Sequence, residues 1–269
     1  MYRLEREDFL RSRYIVLWAL LGFQAGFINS FGFFACGRFV SHVTGMGTQV
    51  GLALGERNWL LSLELMLIPI FFILGSFLNG VFTSAKIDKN LKPNYDRIML
   101  IMPIVLFLIV LLGAKGLLSD LSTSTVSQGS LFLAFLLSAL CGLQNACFAT
   151  LTKGQIRTTH LTGMSTDFGT DLARSFFGRL SPFEAKMLRR INFSRFATFV
   201  SFAFGAVISV SVSSHYFYLA LAIPAIFSLA VYFAVSKITR QIDMKGQRSG
   251  SAVPKSELRF ALENNAPDS

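Results

Sequence analysis

Apolar residues run through this chain in long unbroken stretches, without the alternating or one-faced patterns of a water-soluble fold. Six stretches are long enough to cross a bilayer, whose hydrocarbon core of ~30 Å needs about 20 helical residues. They cover roughly residues 14 to 36, 60 to 82, 98 to 118, 130 to 151, 196 to 214 and 216 to 236. Pro69, Pro103 and Pro224 fall inside three of them, where kinks are expected and neighbouring helices can satisfy the freed carbonyls. Two shorter segments, about 44 to 54 and 162 to 173, reach only about half the hydrocarbon thickness as helix. They predict half-helices that re-enter or break.

Each short segment follows the same polar string. Ser41-His42-Val43-Thr44-Gly45-Met46-Gly47-Thr48 returns 118 residues later as Thr159-His160-Leu161-Thr162-Gly163-Met164-Ser165-Thr166. Upstream, Gly26-Phe27-Ile28-Asn29 matches Gly142-Leu143-Gln144-Asn145 at an offset of 116. The chain therefore carries an internal duplication, with a repeat at residues 14–118 and another at 130–236 joined by an external loop at 119–129. Residues 1–13 form a polar cytoplasmic N-terminus and 237–269 a polar cytoplasmic tail.

Charge decides how the repeats sit. If the short segments do not span, the N-terminus, loop 83–97, loop 174–195 and the tail share one side, with most of the Lys and Arg. The other side then holds loop 113–129, where Lys115 stands alone, and the turn at Ser213-Ser214-His215. That is the positive-inside pattern with both termini cytoplasmic, and an eight-span arrangement breaks it. Three crossings per repeat invert the second repeat relative to the first. The expected fold is thus an all-α membrane protein of six transmembrane helices, built as two inverted three-helix repeats, each with a re-entrant or broken half-helix.

Composition narrows the class. The chain of 269 residues is 52% apolar and 15% charged, with 28 phenylalanines, whereas soluble domains carry about 25% charge. A net charge of +10 does not point to nucleic acid, because the basic residues cluster between apolar runs. Cys36, Cys141 and Cys147 lie at or inside apolar segments, without metal or disulfide spacing. No hydrolase, metalloprotease, P-loop or redox motif is present, so neither an enzyme nor a cofactor is expected.

The duplicated string carries the chemistry. Thr44 and Thr162 are expected to cap the half-helices, and Gly45 and Gly163 to let the backbone approach closely. Two helix N-termini converging at mid-membrane would favour an anionic or dipolar solute, and His42 and His160 add ionisable donors that are candidates for proton coupling. The other reading of the same residues is close helix packing by Thr-Gly and headgroup-level histidines. Asn29 and Asn145 serve either as ligand contacts or as pins for the re-entrant loops. Asp167 stands where the first copy has Gln49, and Asp171 where it has Ala53, which makes Asp167 the candidate for proton or ion coupling. Asp171 is read as interfacial near Arg174, and Glu64 as pairing with Arg57. Arg38 and Arg157 flank the copies.

Ala25-Gly26-Phe27 to Gly32, Phe39-Val40-Ser41-His42-Val43-Thr44-Gly45, Gly142-Leu143-Gln144-Asn145-Ala146 and Arg157-Thr158-Thr159-His160-Leu161-Thr162-Gly163 resemble the YoaK-like family of small bacterial membrane proteins of unknown function. The resemblance covers about residues 14 to 236 and implies a bacterial inner-membrane location, with no activity attached.

The functional expectation is a small secondary transporter or facilitator, possible coupling to protons included, acting on a small anionic or polar solute at a midplane site. The alternatives are a channel, or a non-transporting scaffold or regulatory protein that docks a partner through loop 174–195. The expected partners are the lipid bilayer and a small solute, with a homo-oligomer left open.

Overall fold

The computed structural model describes residues 12–118, 128–154 and 161–250, all helical or in turns with no strand among them. The helices are α1 (Ser12–Cys36), α2 (Val43–Gly55), α3 (Trp59–Phe82), α4 (Ser84–Asp88), α5 (Tyr95–Ala114), α6 (Gln128–Leu151), α7 (Leu161–Phe177), α8 (Pro182–Tyr216) and α9 (Ala222–Gly250), with a 3₁₀ turn at Phe217–Leu221. Five stretches are long and apolar enough to cross a membrane: Tyr14–Cys36, Trp59–Asp88, Tyr95–Ala114, Leu131–Leu151 and Pro182–Ile242. The last, of 61 residues, contains α8 and most of α9. The chain breaks between them at Phe217, whose φ of 48° lies in a region that bulky side chains rarely adopt.

Two elements are longer than the apolar runs predict. Residues 174–195, expected as a loop, end α7 and begin α8, and the first part of the expected tail continues α9 to Gly250. The cause in α8 is local. Ser181 accepts from the Glu184 backbone N–H (3.3 Å) while Glu184 accepts from the Ser181 backbone N–H (2.9 Å), and Pro182 opens the helix. This capping box starts a helix in polar sequence, well before hydropathy alone would place one.

The contacts fix helix directions. Gly22 meets Thr198 and Gly26 meets Phe202, so α1 and α8 run parallel. Ser138 donates to the Ile68 carbonyl (2.8 Å) and Ser76 to the Gly142 carbonyl (3.1 Å), so α3 and α6 are parallel too, and Ser84, at the start of α4, bonds Thr150 (3.2 Å). Trp18 packs edge-on against Phe148 and Gln24 reaches Gln144, which makes α1 and α6 antiparallel. The N-terminal end of α5 (Tyr95, Ile98, Met99) packs with the later part of α9 (Val231, Val235, Ile238), and its far end packs with Leu221 and Ala225, so this pair is antiparallel as well.

The closest approaches come in a reciprocal set. A Cβ on Gly26 would overlap the Phe202 carbonyl, and one on Gly205 the Phe23 carbonyl. In the other pair, Gly142 stands against Phe72 and Gly75 against Ala139. Adding 116 to the α1 positions and subtracting 130 from the α8 positions converts the first pair of contacts into the second. The duplicated residues therefore make duplicated contacts, with the partners exchanged.

Two apolar clusters fill the bundle. One, at the end holding Tyr14, Tyr95, Leu151 and Ile238, joins α1, α5, α6, α8 and α9. The other, around Phe31, Leu106, Leu137 and Leu221, closes the opposite end. Between them the Gln24 Nε2 donates to Ser228 (2.6 Å) and Gln144 (3.4 Å) and touches the Met102 sulfur, forming one polar layer at mid-height. Many large apolar side chains on the outside, such as Phe77, Phe204 and Val207, remain exposed, as a lipid-facing surface requires.

Candidate half-helix site

The two short helices sit at the two ends of the bundle, one beside α3 and the other beside α8. α2 packs through Met46 and Ala53 onto Leu65 and Ile68 of α3. α7 packs antiparallel to the first half of α8, with Met164 near Phe199 and Phe168 stacked on Phe196. Gly22 against Thr198 places Phe199 level with the middle of α1, and Ile68 lies one turn from the Phe72–Gly142 crossing. Each half-helix thus starts near mid-height. Each runs outward from there.

Asn29 builds the turn into α2. Its Oδ1 accepts from the Val40 N–H (3.1 Å), the Ser41 N–H (3.0 Å) and the Ser41 hydroxyl (2.9 Å). Three donors on one amide oxygen hold the segment before α2 against α1, as the pinning reading expects. Asn145, at the corresponding place in α6, is half-buried and also engaged.

The motif residues occupy the first turn of α2, though not in the expected roles. His42 is the N-cap and makes no side-chain cap bond, and the helix begins at Val43. Thr44 is therefore one residue inside the helix, and the backbone N–H of Met46 already bonds the His42 carbonyl (3.1 Å). Thr162 is likewise inside α7, which starts at Leu161. The histidine holds the capping position because the bent segment pinned by Asn29 ends at Ser41, leaving His42 as the last non-helical residue. Gly45 keeps room for the His42 ring: a Cβ there would stand 3.3 Å from two of its atoms. His42 and Thr44 are exposed, as is Thr162, with Gly163 half-buried beside it. His160 lies outside the described residues, with Arg157.

The second copy carries ions where the first has none. Arg195 donates to Asp171 (2.6 Å), to Asp167 (3.1 Å) and to Asn192 (3.1 Å), while Arg174 pairs with Asp171 at 3.3 Å. Asp171 and Arg195 are largely covered, each with 14% of its side chain exposed, whereas Asp167 is 63% exposed. By the same 130-residue correspondence, Arg195 occupies the place of Leu65. The buried Ala53–Leu65 contact of one copy is an Asp171–Arg195 ion pair in the other. Arg195 was hidden from sequence reasoning because it ends a basic stretch that reads as loop. The expected Arg174 contact does form, but as the longer of the two.

Some expected contacts do not form. Among the described residues, Glu64 and Arg57 make no ion pair, and no hydrogen bond or ion pair links α2 to α7. The half-helix N-termini pack on different helices instead of converging on one another within the chain. Arg38 donates to the Gly37 carbonyl (3.1 Å), and its buried Nε has no partner. The mid-height layer also leaves the Gln24 Oε1 and the Gln144 Nε2 without partners, a cost of about 1–3 kcal/mol for each orphaned group.

No curated protein and no solved structure matches the chain. One family model does, described as a protein of unknown function (DUF1275), over residues 17–234. That span takes in both motif copies and at least part of every long helix described above, and the YoaK-like resemblance is compatible with it. The chain belongs to the DUF1275 family of membrane-type helical proteins whose function is unknown.

Proposed function

We propose that this protein is a small secondary transporter or facilitator for a small anionic or polar solute, built as two inverted three-helix repeats with both termini in the cytoplasm. The observation that carries the reading is the pair of half-helices. Each begins near mid-height, presents an exposed His-x-Thr-Gly or Thr-Gly turn there, and belongs to the opposite end of the bundle from its counterpart. Broken helices at matching positions of inverted halves are the arrangement in which carriers place their sites.

Further support comes from direction and charge. The equivalent helices α1 and α6 are antiparallel, as are α5 and α9, which suits an axis in the membrane plane. Exposed polar and charged groups at mid-depth are expensive against lipid, so Thr44, Thr162 and Asp167 are explained best by a wet pathway or by a second copy of the chain covering them. The Gln24–Gln144–Ser228 layer closes the centre between the repeats and is the barrier that a transport cycle would have to open. Asp167, held by Arg195 yet exposed, is the group assigned to proton or ion coupling.

The test is solute flux in proteoliposomes, screening small anions with and without a proton gradient. His42→Ala combined with His160→Ala should abolish flux while the protein keeps its elution volume and melting temperature. Asp167→Asn should remove the gradient dependence. Unchanged flux in the double variant refutes the site, and single-channel conductance without coupling would favour the channel reading.

A further inference from the structure

The face between α7 and α8 contains a groove of about 550 Å³, open to the outside and lined mainly by apolar and aromatic side chains, among them Phe168, Leu172, Phe193 and Phe196. A smaller cavity of about 230 Å³ continues it inward past Met164 to Phe199. From Ala185 to Phe199 the groove follows α8 for about 21 Å, slightly more than one leaflet of a ~30 Å hydrocarbon core. Its inner end is thus at mid-height and its outer end at headgroup level.

The outer end is basic. Arg189 lines the groove, and Lys186 stands one turn earlier on the same face of α8. Arg189 bonds only the Ala185 carbonyl (3.3 Å), and neither cation has a carboxylate partner among the described residues. Glu184, the nearest acid in sequence, is occupied by the Ser181 cap. Between Asp167 and Arg195 the chain holds six basic and three acidic residues, whereas the corresponding stretch from Gln49 to Leu65 has Arg57 against Glu56 and Glu64. The second copy thus pairs an apolar half-depth groove with cations that have no carboxylate partner among the described residues.

We propose that this groove binds one anionic phospholipid of the leaflet at that end of the bundle. The phosphate group would lie on Arg189 and Lys186, and one acyl chain would run along Phe168, Phe193 and Phe196 towards Phe199. Charge complementarity selects the anionic headgroup over a zwitterionic one, because each cation near the surface favours negative lipid about five-fold, which makes about 25-fold for two. The inference uses the membrane placement alone and stands whether or not the protein transports a solute.

The experiment is lipid retention by the full chain. Purified protein is titrated with phosphatidylglycerol or with phosphatidylcholine, and bound lipid is counted by native mass spectrometry alongside the melting temperature. The wild type should retain one phosphatidylglycerol with about 25-fold preference over phosphatidylcholine. Lys186→Gln with Arg189→Gln should erase the preference, and Ala185→Trp, which fills the groove mouth, should remove retention of both lipids. Arg57→Gln, a cation at the other end, should change nothing. Glycerol phosphate alone should fail to compete at the same concentrations, which separates a lipid site from a phosphate site. Equal retention of both lipids by the wild type, or a preference that survives the double substitution, overturns the proposal. Because the two cations are exposed, that variant should keep the wild-type melting profile in lipid-free detergent.

Discussion

The four reciprocal glycines give the most demanding check on the packing. Gly26→Ala would place a methyl group on the Phe202 carbonyl, and Gly142→Ala would do the same against Phe72. In each case the backbones must separate by roughly an ångström before the contact is tolerable. A gap of ~0.5–1 Å forfeits a quarter to a half of each dispersion contact, worth ~0.1–0.2 kcal/mol per atom pair. For an interface holding about 40 such pairs, the count for a single buried leucine, the loss is about 1–4 kcal/mol. The better helix propensity of alanine returns about 0.5–1 kcal/mol, leaving a net cost of about 0.5–3 kcal/mol. For a chain of this size that lowers the melting temperature by about 1–12 °C. Gly47 and Gly51 supply the contrast, since nothing lies within 4 Å of a Cβ at either. Gly47→Ala and Gly51→Ala should be neutral or slightly stabilising. Fluorescence-detected size-exclusion after heating reads all four variants. If Gly26→Ala melts with Gly51→Ala, the close crossing is wrong, and if Gly26→Ala and Gly142→Ala differ several-fold, the two crossings are not equivalent.

Three other outcomes can be checked on single variants. Asn29→Leu removes the acceptor shared by Val40 and Ser41, so cysteines placed at Ser41 and His42 should label several-fold faster, with little change at Gln49. Ser181→Ala breaks the capping box, and amide exchange should rise over Phe183 to Ala185 while the buried part of α8 from Ile191 onward keeps its protection. Phe217→Gly relieves a positive φ at a side chain that is 38% exposed, and should leave the melting temperature unchanged or raise it by a few degrees.

Much of this architecture is legible in the sequence because membrane folding reads hydropathy and length directly. The six apolar runs locate the cores of the six long helices, and the repeated string locates α2 and α7. What stays hidden has identifiable physical causes. The helix ends of α8 and α9 lie in polar sequence, where propensity and capping decide and apolar runs carry no information. Ser181-Pro182-Phe183-Glu184 was the available signal for the first. Arg195 could not be assigned because its partners sit 24 and 28 residues away on another helix. The N-cap position falls to His42 instead of Thr44 because Asn29, far earlier in the chain, fixes where the bent segment before α2 stops. The midplane convergence of the half-helices was inferred from symmetry, and symmetry alone does not say which neighbouring helix each one leans on.

The difference between the copies is testable as a transplant. In the first copy, Ala53 and Leu65 meet in an apolar contact, with Gln49 one turn away; in the second, Asp171, Arg195 and Asp167 hold the same places. The fold therefore accepts either solution at one site, and packing does not require the charged one. Burying an ion pair costs desolvation that its attraction often fails to offset, so replacing the set with apolar residues of matching shape is commonly neutral or stabilising by about 1–4 kcal/mol. Removing one partner instead strands the others, at about 3–5 kcal/mol. Arg195→Leu alone should thus destabilise the chain, since the covered Asp171 keeps only the longer contact to the exposed Arg174 and Asp167 loses its partner. The triple variant Asp167→Gln, Asp171→Ala, Arg195→Leu reproduces the first copy and should regain at least wild-type stability. If the triple variant is as unstable as Arg195→Leu alone, the ions are needed to hold α7 on α8, and Asp167 loses its claim to a coupling role. If stability returns while gradient-dependent flux does not, the charges are retained for what they do rather than for what they hold together.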